Sequence, residues 1–339
     1  MSECREPVKV RIFQSDVSGG NLTREKLLDI WKEKLSVCPE LDVSYYGRMK
    51  MDDIDEEVGD ADAIIGLFIA PGIITKEFLD RHPHLRYIAT LSHGFGSYDK
   101  EEIKRRGITY TNTVSGDVTI AQYAMAMLLD LCNNVAIHDD FYKHKIWSTP
   151  GAAKNGVKIL TRQFELYGKT IGIIGLGSIG YRMAVMAQGF GMKVIAYSRH
   201  KKCGDKYAFI EQVTLDELLN RSDVISIHCP LTEESRNMID ADAIARMKDG
   251  VILINTARGE IIDENALKDA LDSKKISAAG LDVVCGEPLD GPIPLMQCDN
   301  TRITQHIAFA TPEAKIRAIE IAADNLINWY KGTPTSVIM

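Results

Sequence analysis

Residues 170–181 read Thr-Ile-Gly-Ile-Ile-Gly-Leu-Gly-Ser-Ile-Gly-Tyr, and this stretch decides the fold. A short β-rich run, Thr170–Ile174, leads into a glycine loop, and a helical pattern begins near Tyr181. Three glycines stand in the loop at a characteristic spacing: Gly175, Gly177 and Gly180. Glycine at these places permits a tight turn, close approach of the backbone to a pyrophosphate and tight packing of helix on strand. The stretch therefore predicts a dinucleotide-binding α/β unit, with phosphates at the helix N-terminus.

Short β-rich runs alternate with helical patterns on both sides of this loop. Before it, the alternating runs are Val8–Phe13, Arg24–Leu35, Val43–Tyr45, Ala63–Phe68, Lys76–Arg81 and Leu85–Ala89. The second series of strands is Thr170–Ile174, Lys193–Tyr197, Val224–His228, Val251–Asn255, Ala279–Asp282 and Arg302–Thr304. Such alternation is typical of parallel sheets covered by helices. We expect an α/β protein with two Rossmann-like, doubly wound parallel-sheet domains.

The helix that follows the last strand suggests how the domains are divided. A chain of 339 residues is too long for one core of the commonest size. No strand follows the amphipathic pattern Glu313–Tyr330, so we expect this helix to return to the first domain. The apolar pattern Thr119–Cys132 predicts a helix buried between domains or subunits. The expected boundaries are 1–115 with 312–339 for one domain and 116–311 for the other.

Charge and cysteine content limit the functional classes. The net charge of −7 disfavours non-specific binding to nucleic acid or to a membrane surface. The seven cysteines are scattered without a CxxC pair, which fits reduced thiols, and we expect no metal site. The first residues contain no long apolar run or cleavage signal. We therefore expect a cytoplasmic protein.

The end of the second strand of the dinucleotide unit bears on the choice of cofactor. In an NAD site this position usually carries Asp or Glu, which accepts a hydrogen bond from the 2′-hydroxyl of the ribose. Here the strand ends in Ser198-Arg199, followed by His-Lys-Lys, without an acid. The guanidinium of Arg199 can pair with a 2′-phosphate, so the sequence favours NADP. Arg199 can also stack on adenine without a phosphate, so NAD stays open.

Three polar residues follow successive strands of the same unit. Arg258 comes after Val251–Asn255, Glu287 follows the next strand, and His306 follows the last one. Residues just past the carboxyl ends of parallel strands converge on the crevice where ligands bind. Taken singly, each has a plain structural explanation as a surface pair, a turn acid or a loop histidine. Their common position favours a joint catalytic role.

Their chemistry fits the reduction of a 2-keto acid. The planar guanidinium of Arg258 offers paired donors to the substrate carboxylate. Hydride delivery places negative charge on the carbonyl oxygen, and His306 is the candidate proton donor there. A carboxylate hydrogen-bonded to the imidazole stabilises its protonated form and fixes its orientation, which is the role we assign to Glu287.

These segments resemble the D-isomer-specific 2-hydroxyacid dehydrogenase family over nearly the whole chain. The hallmarks are Gly-Leu-Gly-Ser-Ile-Gly at 175–180, His-Cys-Pro-Leu-Thr at 228–232, Asn-Thr-Ala-Arg-Gly at 255–259, Gly-Leu-Asp-Val at 280–283, Glu287-Pro288 and His306. The resemblance implies an Arg–Glu–His catalytic site, a cofactor domain inserted within a flavodoxin-like substrate domain, and a homodimer built largely on the cofactor domains. Within the family, residues 119–122 and 306–311 look most like the glyoxylate, hydroxypyruvate and glycerate dehydrogenase branch.

The resemblance also implies which residues contact the cofactor, with Asp282 holding the nicotinamide carboxamide. The expected cofactor-binding residues are Gly175, Gly177, Ser178, Ile179, Gly180, Ser198, Arg199, His228, Cys229, Pro230, Thr256, Ala257 and Asp282.

The segments expected to bind the substrate follow the family pattern less closely than the cofactor-binding segments do. Residues 92–96, Ser-His-Gly-Phe-Gly, match the family loop whose backbone N–H groups bind the substrate carboxylate. The expected substrate-binding residues are His93, Gly94, Phe95, Arg258 and Phe309. The sequence departs from the family at His93, where a small or aliphatic residue is common, at Gly96, which replaces Asp, and at Gln305, which replaces Pro. These departures leave the identity of the keto acid open.

Two alternatives on the same scaffold also stay open. A dinucleotide-sensing corepressor-like protein keeps the same catalytic residues, and so does a phosphite-type dehydrogenase. Formate enzymes of the family carry Gln where this chain has Glu287, which counts against that activity.

Overall fold

The computed structural model describes residues 7–15, 22–48, 52–66, 73–94, 98–146 and 159–338. The chain divides into two compact units, each built on its own sheet. The first unit comprises Met1–Gly116 with Ala310–Met339, and the second comprises Asp117–Phe309.

The first unit is a five-stranded parallel sheet with helices between the strands. Its strands are β1 (Val8–Phe13), β2 (Leu41–Tyr46), β3 (Ala63–Gly66), β4 (Tyr87–Thr90) and β5 (Thr109–Thr111). The helices between them are α1 (Arg24–Leu35), α2 (Ile54–Val58), α3 (Lys76–Arg81) and α4 (Lys100–Arg105). The strand order β2-β1-β3-β4-β5 is the flavodoxin-like order.

The second unit is a seven-stranded parallel sheet that begins after two helices. The helices α5 (Asp117–Asn133) and α6 (Val135–Phe141) come first, and a π-helical turn, Tyr142–Ile146, extends α6. The strands are β6 (Thr170–Ile174), β7 (Lys193–Tyr197), β8 (Glu211–Gln212), β9 (Val224–Ile227), β10 (Val251–Asn255), β11 (Ile276–Leu281) and β12 (Thr301–Ile303). The intervening helices are α7 (Ser178–Gly189), α8 (Leu215–Arg221), α9 (Ala241–Ala245) and α10 (Glu264–Asp272).

The order of this sheet is β12-β11-β10-β9-β6-β7-β8, so the winding reverses between β6 and β9. In open α/β sheets, ligands bind in the crevice at the carboxyl ends of the strands where the order reverses. The glycine loop follows β6 directly, which places it at this crevice.

Buried side chains alternate between the two faces of each sheet, and each face has its own hydrophobic cluster. Within β6, Ile173 belongs to one cluster and Ile174 to the other, because successive side chains of a strand point to opposite faces. The first unit shows the same division at Ile64 and Ile65 of β3. Apolar side chains therefore cover both faces of each sheet, as a doubly wound fold requires.

The two apolar helices occupy different units. Helix α5 buries residues such as Ala124 and Leu128 in one cluster of the second unit. The final helix, α11 (Pro312–Tyr330), belongs to the first unit, where Ala322 and Leu326 pack in the same cluster as Trp31 of α1.

The predicted fold class is confirmed, and three predicted strands of the second unit, β6, β7 and β10, have the predicted bounds. The short strands β5 and β8 and the short helices α2, α4 and α6 were not predicted, because such segments carry too few residues to show periodicity. The strand predicted at Val224–His228 is one residue shorter in the structure, where β9 ends at Ile227. Phe68, the predicted end of the third β-rich run, lies outside the described residues.

Among the described residues, no single helix has the length and apolar character needed to cross a membrane. In the same part of the chain, one pair of helices bent by 49°, Asp117–Asn133 with Val135–His144, meets that criterion by length and composition.

Candidate active site

The glycine loop after β6 packs against the loop after β9. Gly175 has a φ of 97°, which L side chains rarely adopt, and a Cβ atom there would lie 2.6 Å from the backbone nitrogen of Cys229. A Cβ on Gly180 would lie 2.1 Å from the carbonyl oxygen of Gly175, so glycine lets α7 pack tightly on the loop. A Cβ on Gly177 would meet no atom of the described residues within 4 Å. The loop thus needs glycine for packing at two positions and leaves the third open to a ligand.

The N-terminus of α7 is suited to phosphates. Gly177 is its N-cap and supplies no capping side chain, so the first-turn N–H groups keep their donor capacity. Ser178, which begins the helix, is exposed, and Ile179 is half-buried. These donors and the helix dipole together favour a negatively charged group.

Two buried polar atoms lie past the ends of the adjacent strands β9 and β10. The Nδ1 atom of His228 and the Oγ1 atom of Thr256 have no hydrogen-bond partner among the described residues. The Nε2 atom of His228 lies 2.8 Å from the hydroxyl of Ser226. Burial lowers the pKa of His228 to about 4, so the ring is neutral at physiological pH. Unpaired buried polar atoms at such a crevice fit a polar ligand such as a dinucleotide.

The residues that directly follow His228 and Thr256 along the chain are uncharged. Burial raises the pKa of the Cys229 thiol to about 11, so this side chain is a neutral thiol. Pro230 is exposed and Ala257 is half-buried, each in a loop after a central strand. The glycine loop, the α7 N-terminus and these loops together fit a dinucleotide.

The turn after β7 presents its basic side chains to solvent. Ser198 is half-buried and Arg199 is exposed. The side-chain amide of Gln212 on β8 accepts from the backbone N–H of Lys202 and donates to its carbonyl, each at 2.7 Å. Arg199 Nη1 lies 3.8 Å from Oε2 of Glu234, a residue of the loop after β9. The turn is anchored through its backbone, while Arg199 has an acidic neighbour that the sequence did not indicate.

The turn that carries Arg258 is held by a buried asparagine. Asn255 is fully buried at the end of β10, accepts from the N–H of Ala257 at 2.9 Å and donates to the carbonyl of Arg258 at 2.8 Å. The guanidinium of Arg258 donates to the carbonyl of Ala257 at 2.6 Å and is half-buried. The amide of Asn255 therefore sets the direction in which the turn presents Arg258.

Gly259 brings the Arg258 turn against the segment that leads to Glu287. A Cβ on Gly259 would lie 2.1 Å from the carbonyl carbon of Val284 and 2.4 Å from the backbone nitrogen of Cys285. Only glycine permits two backbones to come so close. The same N–H of Cys285 donates to the carboxylate of Glu264 at 2.6 Å, which fixes the second segment.

Glu287 and His306 form a direct hydrogen-bonded pair. The Nδ1–H of His306 donates to Oε2 of Glu287 at 2.8 Å, and the N–H of Val284 donates to the other carboxylate oxygen at 2.7 Å. Burial raises the pKa of Glu287, but the two hydrogen bonds and the charges of His306 and Arg258 outweigh it and leave the pKa below its ordinary value. The carboxylate is therefore ionised at neutral pH, and it holds the imidazole in one orientation.

The loop of His306 is fastened by Asp282, which is 1% exposed. One carboxylate oxygen accepts from the hydroxyl of Thr304 at 2.7 Å and the N–H of Ile307 at 2.9 Å, and the other accepts from the N–H of Ala308 at 2.8 Å. The carbonyl of Asp282 accepts from the N–H of His306 at 2.8 Å. Four hydrogen bonds thus hold the loop around the histidine.

These four hydrogen bonds from the loop to Asp282 account for the backbone conformation of His306. Its φ of 55° lies in the left-handed region, where a non-glycine residue is disfavoured by about 1–2 kcal/mol. The surrounding hydrogen bonds offset that cost, and backbone held in this way is common at functional sites. Asp282 still has one acceptor direction on its second oxygen, so the expected contact with the nicotinamide carboxamide stays a prediction.

The expected substrate-binding residues lie in both units. His93 and Gly94 follow β4 in the first unit, where Asn112 donates to the carbonyl of His93 at 2.7 Å and the hydroxyl of Ser92 donates to that of Gly94 at 2.8 Å. Phe95 lies outside the described residues. In the second unit, the ring of Phe309 lies edge-on to His306, with 6.2 Å between the ring centroids.

Three residues that organise the site were missed by the sequence analysis. Asn255 stands inside a quoted motif, yet no periodicity distinguishes a buried amide that holds a turn from an ordinary strand residue. Thr304 and Glu234 act through single side-chain contacts with other loops, and such contacts leave no local pattern. A polar residue at the buried end of an apolar strand, as at Asn255, is the one signal that was available.

Comparisons with known proteins agree with this geometry. Residues 125–308 match the D-isomer specific 2-hydroxyacid dehydrogenase, NAD binding domain. The chain is 38% identical over 298 residues to a hydroxypyruvate reductase of Blautia hydrogenotrophica, covering 86% of this chain and 90% of the relative. It is 35% identical over 307 residues to a glyoxylate reductase of Korarchaeum cryptofilum, covering 90% and 87%. A solved glyoxylate reductase of Paecilomyes thermophila superposes with a TM-score of 0.82 at 26% identity, covering 98% of each chain.

Proposed function

The chain belongs to the D-isomer specific 2-hydroxyacid dehydrogenase family, and from this premise we propose that it reduces glyoxylate, hydroxypyruvate or a keto acid of similar size. The family membership establishes a nicotinamide-dependent oxidoreductase that acts on 2-hydroxy acids. The relatives named for glyoxylate and hydroxypyruvate support the finer assignment.

The observation that carries the proposal is the hydrogen-bonded pair of His306 and Glu287 on a loop fastened by Asp282. Because Nδ1 of His306 donates to Glu287, Nε2 is the nitrogen left to exchange a proton with a ligand. Asp282 and Glu287 together restrict the ring to one position, which a general acid requires.

In the proposed reaction, Arg258 binds the substrate carboxylate and His306 acts on the carbonyl oxygen. The planar guanidinium matches a carboxylate with two parallel hydrogen bonds. When bound, the nicotinamide supplies the hydride to the carbonyl carbon. His306 gives the proton at Nε2 to the carbonyl oxygen as negative charge develops there, and a 2-hydroxy acid results, of the D configuration where the product is chiral. Glu287 stabilises the protonated imidazole before that transfer.

We assign the remaining roles on the same footing. The unit that contains 117–309 is the cofactor domain, and the other unit binds substrate through the loop of His93 and Gly94 with Phe95. The absence of an acid after β7 and the guanidinium of Arg199 favour NADP(H), with NAD(H) also accepted. A homodimer in the cytoplasm is the working assembly.

The test is absorbance decay of NADPH and NADH with glyoxylate, hydroxypyruvate and pyruvate. We expect turnover with glyoxylate or hydroxypyruvate, and we expect His306→Ala to lower kcat by about 10²–10⁴-fold with little change in cofactor affinity. Arg258→Lys should raise KM for the keto acid and lower kcat/KM by at least tenfold, since the planar fork is lost.

The matched control is His200→Ala, which removes an exposed histidine from the turn after β7 in the same unit. It should leave kcat unchanged. If Arg258→Lys weakened cofactor binding as much as keto-acid use, the role assigned to Arg258 would be wrong. Tight cofactor binding without turnover on any of the three acids would overturn the substrate assignment.

A further inference from the structure

Two loops flank the glycine loop at the adenosine end of the crevice. In the sheet, β6 lies between β9 and β7, so the loops after β7 and β9 stand on either side of it. Arg199 of the first loop and Glu234 of the second approach within 3.8 Å, between Nη1 and Oε2. The ion pair therefore joins the two loops that border the expected site of the adenosine ribose.

The carboxylate of Glu234 is held in place from its own loop. Its Oε2 accepts from the hydroxyl of Thr232 at 2.7 Å. The loop is closed by Ser235, which is 4% exposed, accepts from the N–H of Thr232 at 2.7 Å and donates to the carbonyl of Pro230 at 2.8 Å. The hydrogen bond from Thr232 is the main cause of the lowered pKa of Glu234, so the side chain is ionised at neutral pH. An oriented negative charge thus stands beside Arg199.

We propose that Glu234 is a specificity-determining residue that restrains NADP(H) binding by pairing with Arg199. The inference rests on the proposed use of a nicotinamide dinucleotide. The strand β7 ends without the acid that usually meets the 2′-hydroxyl, and the carboxylate of Glu234, from the loop after β9, lies beside the guanidinium of Arg199. A 2′-phosphate must displace Glu234 from the guanidinium and also approach a like charge. A 2′-hydroxyl meets neither cost.

The size of the effect follows from the exposure of the pair. The side chains of Arg199 and Glu234 are 59% and 73% exposed, so solvent screens their attraction. Exposed ion pairs of this kind change equilibria by up to about fivefold. Glu234 therefore adjusts the preference between the two cofactors and does not abolish either.

The experiment measures binding by calorimetry, without turnover, using 2′,5′-ADP and 5′-AMP as probes. These nucleotides share the adenosine and the 5′-phosphate and differ in the 2′-phosphate alone. Glu234→Gln should tighten 2′,5′-ADP by about fivefold and change 5′-AMP by less than twofold. The matched control is Glu233→Gln, which removes the same charge from the adjacent exposed residue and should change both probes by less than twofold.

A double-mutant cycle separates the ion pair from simple charge repulsion. In an Arg199→Ala background, Glu234→Gln should tighten 2′,5′-ADP by clearly less than in the wild type, because only the like-charge repulsion is left to relieve. An unreduced effect in that background, or equal effects of the Glu233 and Glu234 variants, would overturn the proposal while dinucleotide use stands. If 5′-AMP, 2′,5′-ADP, NADH and NADPH all fail to bind the wild type, the cofactor assignment and this inference both fall.

Discussion

The two ends of the cofactor crevice are built in opposite ways. At one end lie Arg258, Glu287 and His306, the residues to which we assign catalysis and which we call the catalytic cluster. Its loops are fastened by buried side chains: Asn255 is fully buried and Asp282 is 1% exposed. At the other end, Arg199 and Glu234 form the adenosine pair, which is more than half exposed and joined by a single contact of 3.8 Å.

The difference shows which property each end fixes. Proton transfer needs the imidazole within a few tenths of an ångström of one position, and interlocked buried hydrogen bonds provide that. Cofactor choice requires only a modest difference in affinity, and exposed charges on hydrogen-bonded surface loops provide it. A change at the catalytic end should therefore be severe, and a change at the adenosine end should be small.

Among the substitutions that test this contrast between the two ends, the largest effect is expected for Asp282→Asn. The amide NH₂ would face either the N–H of Ala308 or the donors at Thr304 and Ile307, so at least one buried donor loses its acceptor. Such a loss costs about 1–3 kcal/mol of folding stability, and the displaced His306 should lower kcat by about 100-fold. Steady-state kinetics and thermal unfolding, with Asp299→Asn as the exposed control, measure both effects.

Cofactor affinity distinguishes the two roles of Asp282. If positioning of the His306 loop dominates, kcat falls while Kd for NADH changes by less than about threefold. If a higher Kd for NADH accounted for the whole loss of activity, Asp282 would act by binding the carboxamide. Its hydrogen bonds to the His306 loop would then have no catalytic role.

An intermediate effect is expected for Glu287→Gln. The neutral amide can still accept from Nδ1 of His306, but it stabilises the protonated ring less, so kcat/KM for reduction should fall about tenfold at neutral pH. Steady-state reduction of the keto acid at neutral pH measures this loss. An unchanged kcat/KM would contradict the electrostatic role of Glu287.

The wild type gives a complementary test at low pH. Because the pKa of Glu287 is lowered on folding, its stabilising contribution is complete above the ordinary value of 4.5 and is lost as pH falls through the lowered value. Glu287→Gln should therefore lose less stability than the wild type between neutral pH and the acid transition, as measured by denaturant unfolding.

The smallest effect on turnover is expected for the double substitution Ser198→Asp with Arg199→Ala. It supplies the acid that β7 lacks and removes the guanidinium, so the ratio of NADH to NADPH affinities should rise by about tenfold. The rate at saturating cofactor should stay within about twofold. A loss of kcat comparable to that of Asp282→Asn would break the contrast between the two ends of the crevice.

Much of the cofactor domain was predictable because its signals are local. The strand that ends at Ile174 can be recognised from its composition, and the loop after it from the spacing of its glycines. Arg258, Glu287 and His306 were located through a general rule on strand ends, and the structure brings Glu287 and His306 into direct contact. The rule predicts convergence, but it does not predict which atoms meet.

The substrate end was less predictable for a physical reason. Specificity depends on the volume and polarity of the space around the keto acid, which side chains from separate segments define together. His93 departs from the family pattern, yet its neighbours in space follow from chain folding and not from its place in the sequence.

The sequence by itself determined the fold class and the reaction class, and it predicted the dinucleotide loop and the three residues of the proposed catalytic cluster, because each depends on residue type at fixed spacing. Only the tertiary structure decided how Asp282 holds the loop of His306, how Asn255 directs Arg258 and how Glu234 reaches Arg199. The Glu234 contact joins loops separated along the chain by a short strand, a helix and another strand. Local patterns report burial and periodicity, whereas side-chain hydrogen bonds and ion pairs depend on where the packed sheet places distant segments.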